Sequence, residues 1–206
     1  MSVIALSGAS STGKSTLLSD LRKPITELAE EHNREVVFQK ERAREIFEEQ
    51  FSHSYESLTD LLADDPLVYQ MALAEAFQAD ALVAKTNPKT LYVADRTGFD
   101  VAVYTMLLGG TGYSDAAKIN GIFAMLHSSL HVVDHVFLTV PFNVEAEQDG
   151  FRPDQYADPA KRALEVNMFR HIGATFSNTT ILPSSHAERI ETVLDLLKRR
   201  LSNNTI

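Results

Sequence analysis

Short apolar runs alternate with longer amphipathic stretches along this chain of 206 residues. Four of the apolar runs read as buried strands, and a shorter fifth lies near the carboxyl end. The five runs are Val3 to Leu6, Val36 to Phe38, Leu91 to Ala94, His135 to Val140 and Thr180 to Leu182. Because helical stretches separate them, we expect a parallel sheet covered by helices on both faces, with ligands at the carboxyl ends of the strands.

Helices are predicted between these strands from apolar residues at helical spacing. The segments are 14 to about 32, 41 to 51, 66 to about 85, 99 to 108, about 114 to 130, and 187 to 201. Pro24 is expected to end or kink the first helix, because proline lacks an N–H group. Asp65 and Pro66 carry the signals of a helix start and are expected to cap the long third segment. The pattern as a whole predicts an α/β three-layer sandwich that forms one domain over residues 1–206.

Composition narrows the possible functions. The chain contains no cysteine, which excludes disulfides, thiolate catalysis and a Cys-type zinc site. Its formal net charge of −9 argues against a generally basic nucleic-acid-binding surface, although a local basic groove is still allowed. No signal peptide is apparent and no apolar stretch is long enough to span a bilayer, so we expect a soluble cytoplasmic protein with no membrane partner.

The segment from Gly8 to Ser15 reads Gly-Ala-Ser-Ser-Thr-Gly-Lys-Ser and predicts a phosphate-binding loop between a strand and a helix. Its two glycines let backbone N–H groups point at phosphate oxygens, and the following helix adds its positive N-terminal end. Lys14 is expected to reach the β- and γ-phosphates, and Ser15 to offer its hydroxyl to Mg²⁺. The predicted ATP-binding residues are Gly8, Ser11, Thr12, Gly13, Lys14, Ser15 and Thr16.

The third predicted strand ends at Asp95, Arg96 and Thr97. An aspartate in this position resembles a Walker B carboxylate, so Asp95 is expected to join Ser15 in binding Mg²⁺, directly or through water. Arg96 would then lie beside the phosphates or the acceptor. The alternative is that Asp95 only caps the next helix. Asp100 is expected to face solvent or to cap that helix.

Charged residues also follow the second predicted strand, in the segment Glu41-Arg42-Ala43-Arg44-Glu45. Glu41 would face the phosphate loop and accept a proton from an attacking hydroxyl. Arg44, about one helical turn further on, would hold a phosphate or the charge of the transition state. The alternative is a solvated helix start, because acidic residues favour helix N-termini.

A polar, turn-rich segment follows the fourth strand, and a mobile lid is predicted at about 142–163. Such a lid would close over the triphosphate, exclude water and supply an arginine to stabilise charge. Arg152 is the first choice for that arginine and Arg162 the second. The alternative is an ordinary surface loop without a catalytic role.

These motifs resemble the small P-loop kinases related to the ribosylnicotinamide kinase domain of NadR-type proteins. Members of that family carry a Glu-x-Ala-Arg-Glu pattern after the second strand and an Asp-Gly-x-Arg stretch in the lid. The matching residues here are Glu41, Ala43, Arg44 and Glu45 for the first pattern, and Asp149, Gly150 and Arg152 for the second. The Asp95-Arg96-Thr97 element is similar instead to the Asp/Glu-Arg-Ser/Thr element of deoxynucleoside kinases.

The resemblance implies a P-loop NTPase fold of the nucleoside and nucleotide kinase type, with ATP and Mg²⁺ as cosubstrates and a hydroxyl as acceptor. It also implies Glu41 as base or acceptor ligand, Arg152 as lid arginine, and adenine near the turn at 182–185. The adenylyltransferase portion of the NadR-type proteins has no counterpart in these residues, so a role in NAD metabolism is not assumed.

We therefore predict transfer of the γ-phosphate of ATP to a hydroxyl of a nucleoside or nucleotide. The predicted catalytic residues are Lys14, Glu41, Asp95 and Arg152. The predicted substrate-binding residues are Glu41, Arg44, Arg96, Asp149 and Arg162. One alternative acceptor is a polynucleotide hydroxyl, such as the 5-hydroxymethyl group of hydroxymethyluracil in DNA. A nucleotide-dependent switch ATPase with a protein partner is less favoured, and a homodimer is left open.

Overall fold

A five-stranded parallel sheet forms the centre of the computed structural model, which describes residues 3–39, 42–87, 89–109, 115–140 and 158–202. The strands lie in the order β2-β3-β1-β4-β5, and every neighbouring pair is parallel. They are β1 Val3–Gly8, β2 Glu35–Gln39, β3 Thr90–Asp95, β4 His135–Thr139 and β5 Thr179–Ile181. The sheet predicted from the apolar runs is confirmed, with strand ends that differ by one or two residues.

Eight α-helices connect and cover these strands within the described ranges. They are α1 Lys14–Glu31, α2 Arg42–Ile46, α3 Leu58–Asp64, α4 Pro66–Thr86, α5 Gly98–Gly109, α6 Ala116–Leu130, α7 Pro159–Thr175 and α8 His186–Ser202. A π-helical turn, Phe47–Phe51, continues α2. None of the helices in these ranges combines the length and hydropathy that crossing a bilayer requires.

Two helix boundaries test the sequence-based expectations. Helix α1 contains Pro24 and does not end there, because Leu21 and Ile25 on either side are buried in the core and hold the helix against the sheet. The predicted cap of α4 is confirmed: Oδ1 of Asp65 accepts hydrogen bonds from the amides of Leu67 and Val68, at 3.1 and 3.2 Å.

Helix α3 was not predicted, because its seven residues are too few to display a clear helical period. Its start is nevertheless locally encoded. The Ser57 side chain caps the helix by accepting a hydrogen bond from the amide of Asp60 at 3.2 Å. Leu58 and Leu61 then bury their side chains against the neighbouring helices.

Alternate side chains of each strand enter different apolar layers, as the two-residue period of a strand requires. Ile4 and Leu6 of β1 lie in a cluster with residues of α1 and α8. Val3 and Ala5 of the same strand lie in a cluster with residues of α5 and α7. A third apolar cluster joins α2, α3, α4, α5 and α6 to one another. Helices therefore cover both faces of the sheet, and α2 packs beside α4.

The strand register brings the segments that carry the candidate site residues to one edge of the sheet, at the carboxyl ends of the strands. Leu6 is paired with Asp95, Gly8 with Thr139, and Gln39 with Ala94. Because all five strands run in the same direction, the segments that follow β1, β2, β3 and β4 leave the sheet at this edge. This is the position at which open parallel sheets bind ligands.

Candidate active site

The phosphate loop, residues 8–15, turns sharply with three residues at positive φ: Gly8 at 137°, Ser11 at 51° and Gly13 at 79°. At Gly8 an added Cβ would lie 2.2 Å from the carbonyl oxygen of Thr139, so β1 approaches β4 too closely there for any side chain. At Gly13 an added Cβ would meet only Nη1 of Arg189, at 3.8 Å. Gly8 is thus required for space and conformation, and Gly13 for conformation alone.

Lys14 is buried, and its ammonium group lies over the loop. Nζ donates hydrogen bonds to the carbonyl oxygens of Gly8 and Ala9, both at 2.7 Å. Burial, with a further contribution from the Arg96 guanidinium, lowers the pKa of Lys14 to about 7. Three carboxylates act on this pKa in the opposite direction, namely Asp100, Asp95 and Glu165. A ligand with several negative charges placed beside Nζ would therefore favour the charged form of Lys14.

The start of α1 presents hydroxyl groups beside the loop. Ser15 and Thr16 lie in its first turn with exposed side chains. The first turn of a helix also directs unpaired N–H groups and a positive potential outward. Thr12 differs, because its buried hydroxyl donates to the Ala9 carbonyl at 2.9 Å and lies 2.6 Å from the hydroxyl of Thr139. The Thr12 side chain therefore shapes the loop.

Asp95 is buried at the end of β3 and acts electrostatically on Lys14. Arg96 follows it with φ at 76°, and its amide donates to the carbonyl of Leu6 at 2.8 Å. Nη1 of Arg96 lies 3.3 Å from Oδ1 of Asp100. Asp95 and Arg96 therefore lie close to the phosphate loop, and their roles toward Mg²⁺ and the phosphates stay predictions.

Asp100 is 2% exposed, so the expectation that it faces solvent is wrong and the capping alternative is correct. Its Oδ2 accepts a hydrogen bond from the amide of Thr97 at 3.1 Å, while Oγ1 of Thr97 accepts one from the amide of Phe99 at 3.2 Å. The two side chains form a reciprocal cap on α5. Oδ1 of Asp100 also accepts from the amide of Gly8 at 3.4 Å, which joins this cap to the phosphate loop.

A second carboxylate reaches the loop from α7 and was missed by sequence reasoning. Glu165 is 0% exposed, and its Oε1 accepts from the Ser10 amide at 2.8 Å, the Ser10 hydroxyl at 3.2 Å and the Tyr104 hydroxyl at 2.7 Å. Its Oε2 accepts from Nη1 of Arg162 at 2.9 Å. Nη2 of Arg162 donates to the carbonyl of Ser10. The only signal in the sequence is the three-residue spacing of Arg162 and Glu165, which many surface helices share.

A buried arginine of α8 was missed as well. Arg189 donates from Nη1 to the carbonyl of Thr12 and from Nε to the carbonyl of Pro183, both at 2.7 Å. Burial lowers the pKa of its guanidinium. Arg189 therefore ties the phosphate loop to the turn that follows β5, where the resemblance places adenine.

A small crevice of about 30 Å³, lined mostly by apolar side chains, lies between α4 and the ends of β2 and β3. Its polar lining consists of Gln39, Asp80, Arg96, Thr97 and Ser129. Burial raises the pKa of Asp80, an effect that Arg42 of α2 opposes. Nε of Arg42 lies 3.5 Å from Oδ2 of Asp80. Helix α2 thus contributes a basic side chain, that of Arg42, beside this crevice.

Helix α4 also buries Gln70, two turns before Phe77, which lines the crevice. Among the described residues, no hydrogen-bond partner is found for Oε1 of Gln70. A buried carboxamide oxygen without a partner is costly unless another group satisfies it.

The structure assembles only part of the predicted site. It brings the loop residues, Asp95, Arg96 and Arg162 together at one edge of the sheet. Arg44 lies on α2 with an exposed side chain. Glu41, Asp149 and Arg152 lie outside the described residues, as does most of the predicted lid.

The parallel sheet and the loop after its first strand define a nucleotide-binding α/β protein of the P-loop type. A family model described as an AAA domain matches residues 3–189. The chain therefore belongs to this family. No curated protein sequence matches it significantly.

Solved structures of kinases share the fold. A thymidylate kinase from Candida albicans is 13% identical, with a TM-score of 0.63, 97% of this chain covered and 92% of that chain. A deoxyadenosine kinase from M. mycoides, with dCMP and dCDP bound, is 14% identical, with a TM-score of 0.63 and coverages of 96% and 99%.

The NadR protein in complex with NR is 18% identical, with a TM-score of 0.63 and all of this chain covered. This chain spans about half of that protein, 52% of its length. A second NadR structure contains NAD and AMP-PNP. The resemblance to NadR-type and deoxynucleoside kinases is thus confirmed at the level of the fold, which is that of a P-loop kinase.

Proposed function

We propose that this protein transfers the γ-phosphoryl group of ATP to a hydroxyl group of a nucleoside or nucleotide. The observation that carries the proposal is the meeting of Lys14, Asp95 and Arg96 at the carboxyl end of the sheet, where the phosphate loop begins. Phosphoryl transfer depends mainly on positioning and charge stabilisation, which this arrangement supplies. The kinase fold of the structural neighbours supports the same reaction class.

The residues present fit ATP and Mg²⁺. The loop offers N–H groups in a concave turn where a Cβ at Gly8 could not fit, and Lys14 offers the cation. Ser15 and Asp95 carry the hard oxygen donors that Mg²⁺ prefers, so these two would hold it. When bound, Mg²⁺ would neutralise charge on the transferred phosphate. The adenine base would lie near Pro183, where Arg189 holds the turn.

Arg96 is the residue that would connect the two substrates. Arg96 lines the crevice beside α4 and lowers the pKa of Lys14, so it lies near the phosphate loop on the side where we place the acceptor. Asp80 adds hydrogen-bonding capacity on the side of α4. Glu41 and Arg152 remain proposed as acceptor base and lid arginine. These features, with the net charge of −9, favour a small acceptor over DNA.

A transfer assay tests the proposal. γ-Labelled ATP and Mg²⁺ are incubated with nicotinamide riboside, deoxynucleosides, deoxynucleoside monophosphates, 5′-hydroxyl oligonucleotides and hydroxymethyluracil-containing duplex DNA, each in turn. Label on a nucleoside or nucleotide supports the proposal. Label on DNA alone overturns it in favour of a DNA kinase, and acceptor-independent ATP hydrolysis that a protein partner accelerates would indicate a switch ATPase.

Paired lysine variants test whether the phosphate loop carries the reaction. Lys14→Met should abolish transfer while circular dichroism shows a retained fold. Lys23→Met, on the same helix with an 86% exposed side chain, should leave transfer unchanged. Near-normal turnover in Lys14→Met would contradict the mechanism, because no other loop side chain would replace the cation.

A further inference from the structure

The shape of the phosphate loop depends on two side chains that come from far along the chain. Glu165 and Arg162 of α7 bind all three polar groups of Ser10: its N–H, its hydroxyl and its carbonyl. Glu165 is completely buried at this contact, and the Arg162 side chain is 13% exposed. A carboxylate is not placed in such an environment without several donors, and Glu165 has four.

The contact to the Ser10 amide orients the peptide between Ala9 and Ser10. In a planar trans peptide the N–H and C=O groups point in opposite directions. Because the N–H of Ser10 points at Glu165, the C=O of Ala9 points away from α7. That carbonyl accepts from Nζ of Lys14 at 2.7 Å. Glu165 thus orients one of the two carbonyl groups that accept hydrogen bonds from the Lys14 ammonium.

The contact to the Ser10 carbonyl orients the next peptide in the same way. Because this carbonyl points at Arg162, the N–H of Ser11 points away from α7. Loop N–H groups are the donors that a phosphate-binding loop presents to its ligand. Arg162 thereby fixes the direction of one such donor without itself facing the ligand.

We infer that Glu165 and Arg162 are positioning residues, which set the two peptides flanking Ser10 so that Lys14 and the Ser11 amide are directed at the phosphates of a nucleotide. The inference rests on nucleotide binding, the first part of the proposed function, and does not require transfer to any acceptor. It gives Arg162 a role through the loop, in place of a direct contact to substrate.

The test compares Glu165→Gln, Arg162→Met and the double variant. The glutamine keeps the volume of Glu165 but turns an NH₂ group toward either Arg162 or Ser10, so one set of contacts is lost in each orientation. Lys161→Met is the matched control, because Lys161 is the exposed neighbour of Arg162 on the same helix. Each variant is measured for the Kd of a fluorescent ATP analogue, for kcat, and for the KM of ATP and of the acceptor.

The expected result is a rise of about tenfold or more in the Kd and KM for ATP in each single variant, the loss typical of a charged hydrogen bond. The KM of the acceptor should stay unchanged. The double variant should lose less than the product of the two single losses, because the two side chains act as one unit. An unchanged Kd for ATP in variants that merely unfold more easily would overturn the inference.

Hydrogen exchange provides a readout that does not need a nucleotide. The Ser10 amide should exchange about tenfold or more faster in Glu165→Gln than in the parent protein, while the Leu6 amide of β1 stays protected. If the parent protein bound ATP and transferred nothing, the kinase proposal would fail, and the Kd and exchange measurements would still decide the positioning role. Unchanged exchange at Ser10 in Glu165→Gln, or in Arg162→Met if the first variant does not fold, would refute the positioning role.

Discussion

Replacing Gly8 with alanine should destabilise the protein far more than the same change at Gly13. The methyl group of an alanine at position 8 would lie 2.2 Å from the Thr139 carbonyl oxygen and 2.7 Å from its hydroxyl oxygen. Such a backbone contact forces β1 and β4 apart, at a cost of about 1–3 kcal/mol for overpacking. The φ of 137° adds about 1–3 kcal/mol of backbone strain. Together they reach about 2–6 kcal/mol, a large part of the roughly 5–15 kcal/mol that stabilises a typical domain.

Gly13 and Gly121 provide the matched comparison. Gly13→Ala brings only the strain of the left-handed conformation, about 1–2 kcal/mol, because its nearest neighbour is 3.8 Å away. Gly121→Ala, in α6 with nothing within 4 Å, should stabilise the protein by about 0.5–1 kcal/mol. Urea unfolding followed by circular dichroism gives the three free energies of unfolding. Equal losses for Gly8→Ala and Gly13→Ala would refute the close approach of β1 to β4.

Three further changes test buried titratable groups, two of them beside the phosphate loop and one at the start of β4. Because burial lowers the pKa of Lys14 to about 7, the unfolded chain binds more protons than the native protein between about pH 7 and 10.5. Its free energy of unfolding should therefore rise with pH in that window relative to Lys14→Met, and parallel urea curves would contradict this. Burial lowers the pKa of His135 to about 4, so stability should fall as pH falls from 6.5 to 4, and His135→Asn should remove that part of the loss. Asp100→Asn should cost about 1–3 kcal/mol through its contacts to Arg96, Gly8 and Thr97, whereas the exposed Asp195→Asn should cost almost nothing.

Local sequence patterns determined much of the fold. The five apolar runs became the five strands, because a buried parallel strand needs only a short apolar segment of sufficient length. The cap of α4 and the phosphate loop could also be predicted from sequence, because the residues that interact in each lie within eight positions of one another. Patterns were less informative for α3, whose single pair of turns has no clear period.

Tertiary structure decided which side chains shape the phosphate loop. Glu165 lies 155 positions from Ser10, and Arg189 lies 177 positions from Thr12. Nothing in the local sequence distinguishes them from the charged residues of any exposed helix, and only the packing of α7 and α8 around β1 buries them beside the loop. Solvent exposure was the wrong half of the expectation for Asp100, because the pairing of β3 with β1 brings the first turn of α5 against Gly8 and buries this capping residue. The sequence determines which hydrogen bonds a side chain can donate or accept. The order of the strands and the packing of the helices determine which partner groups lie within reach of it.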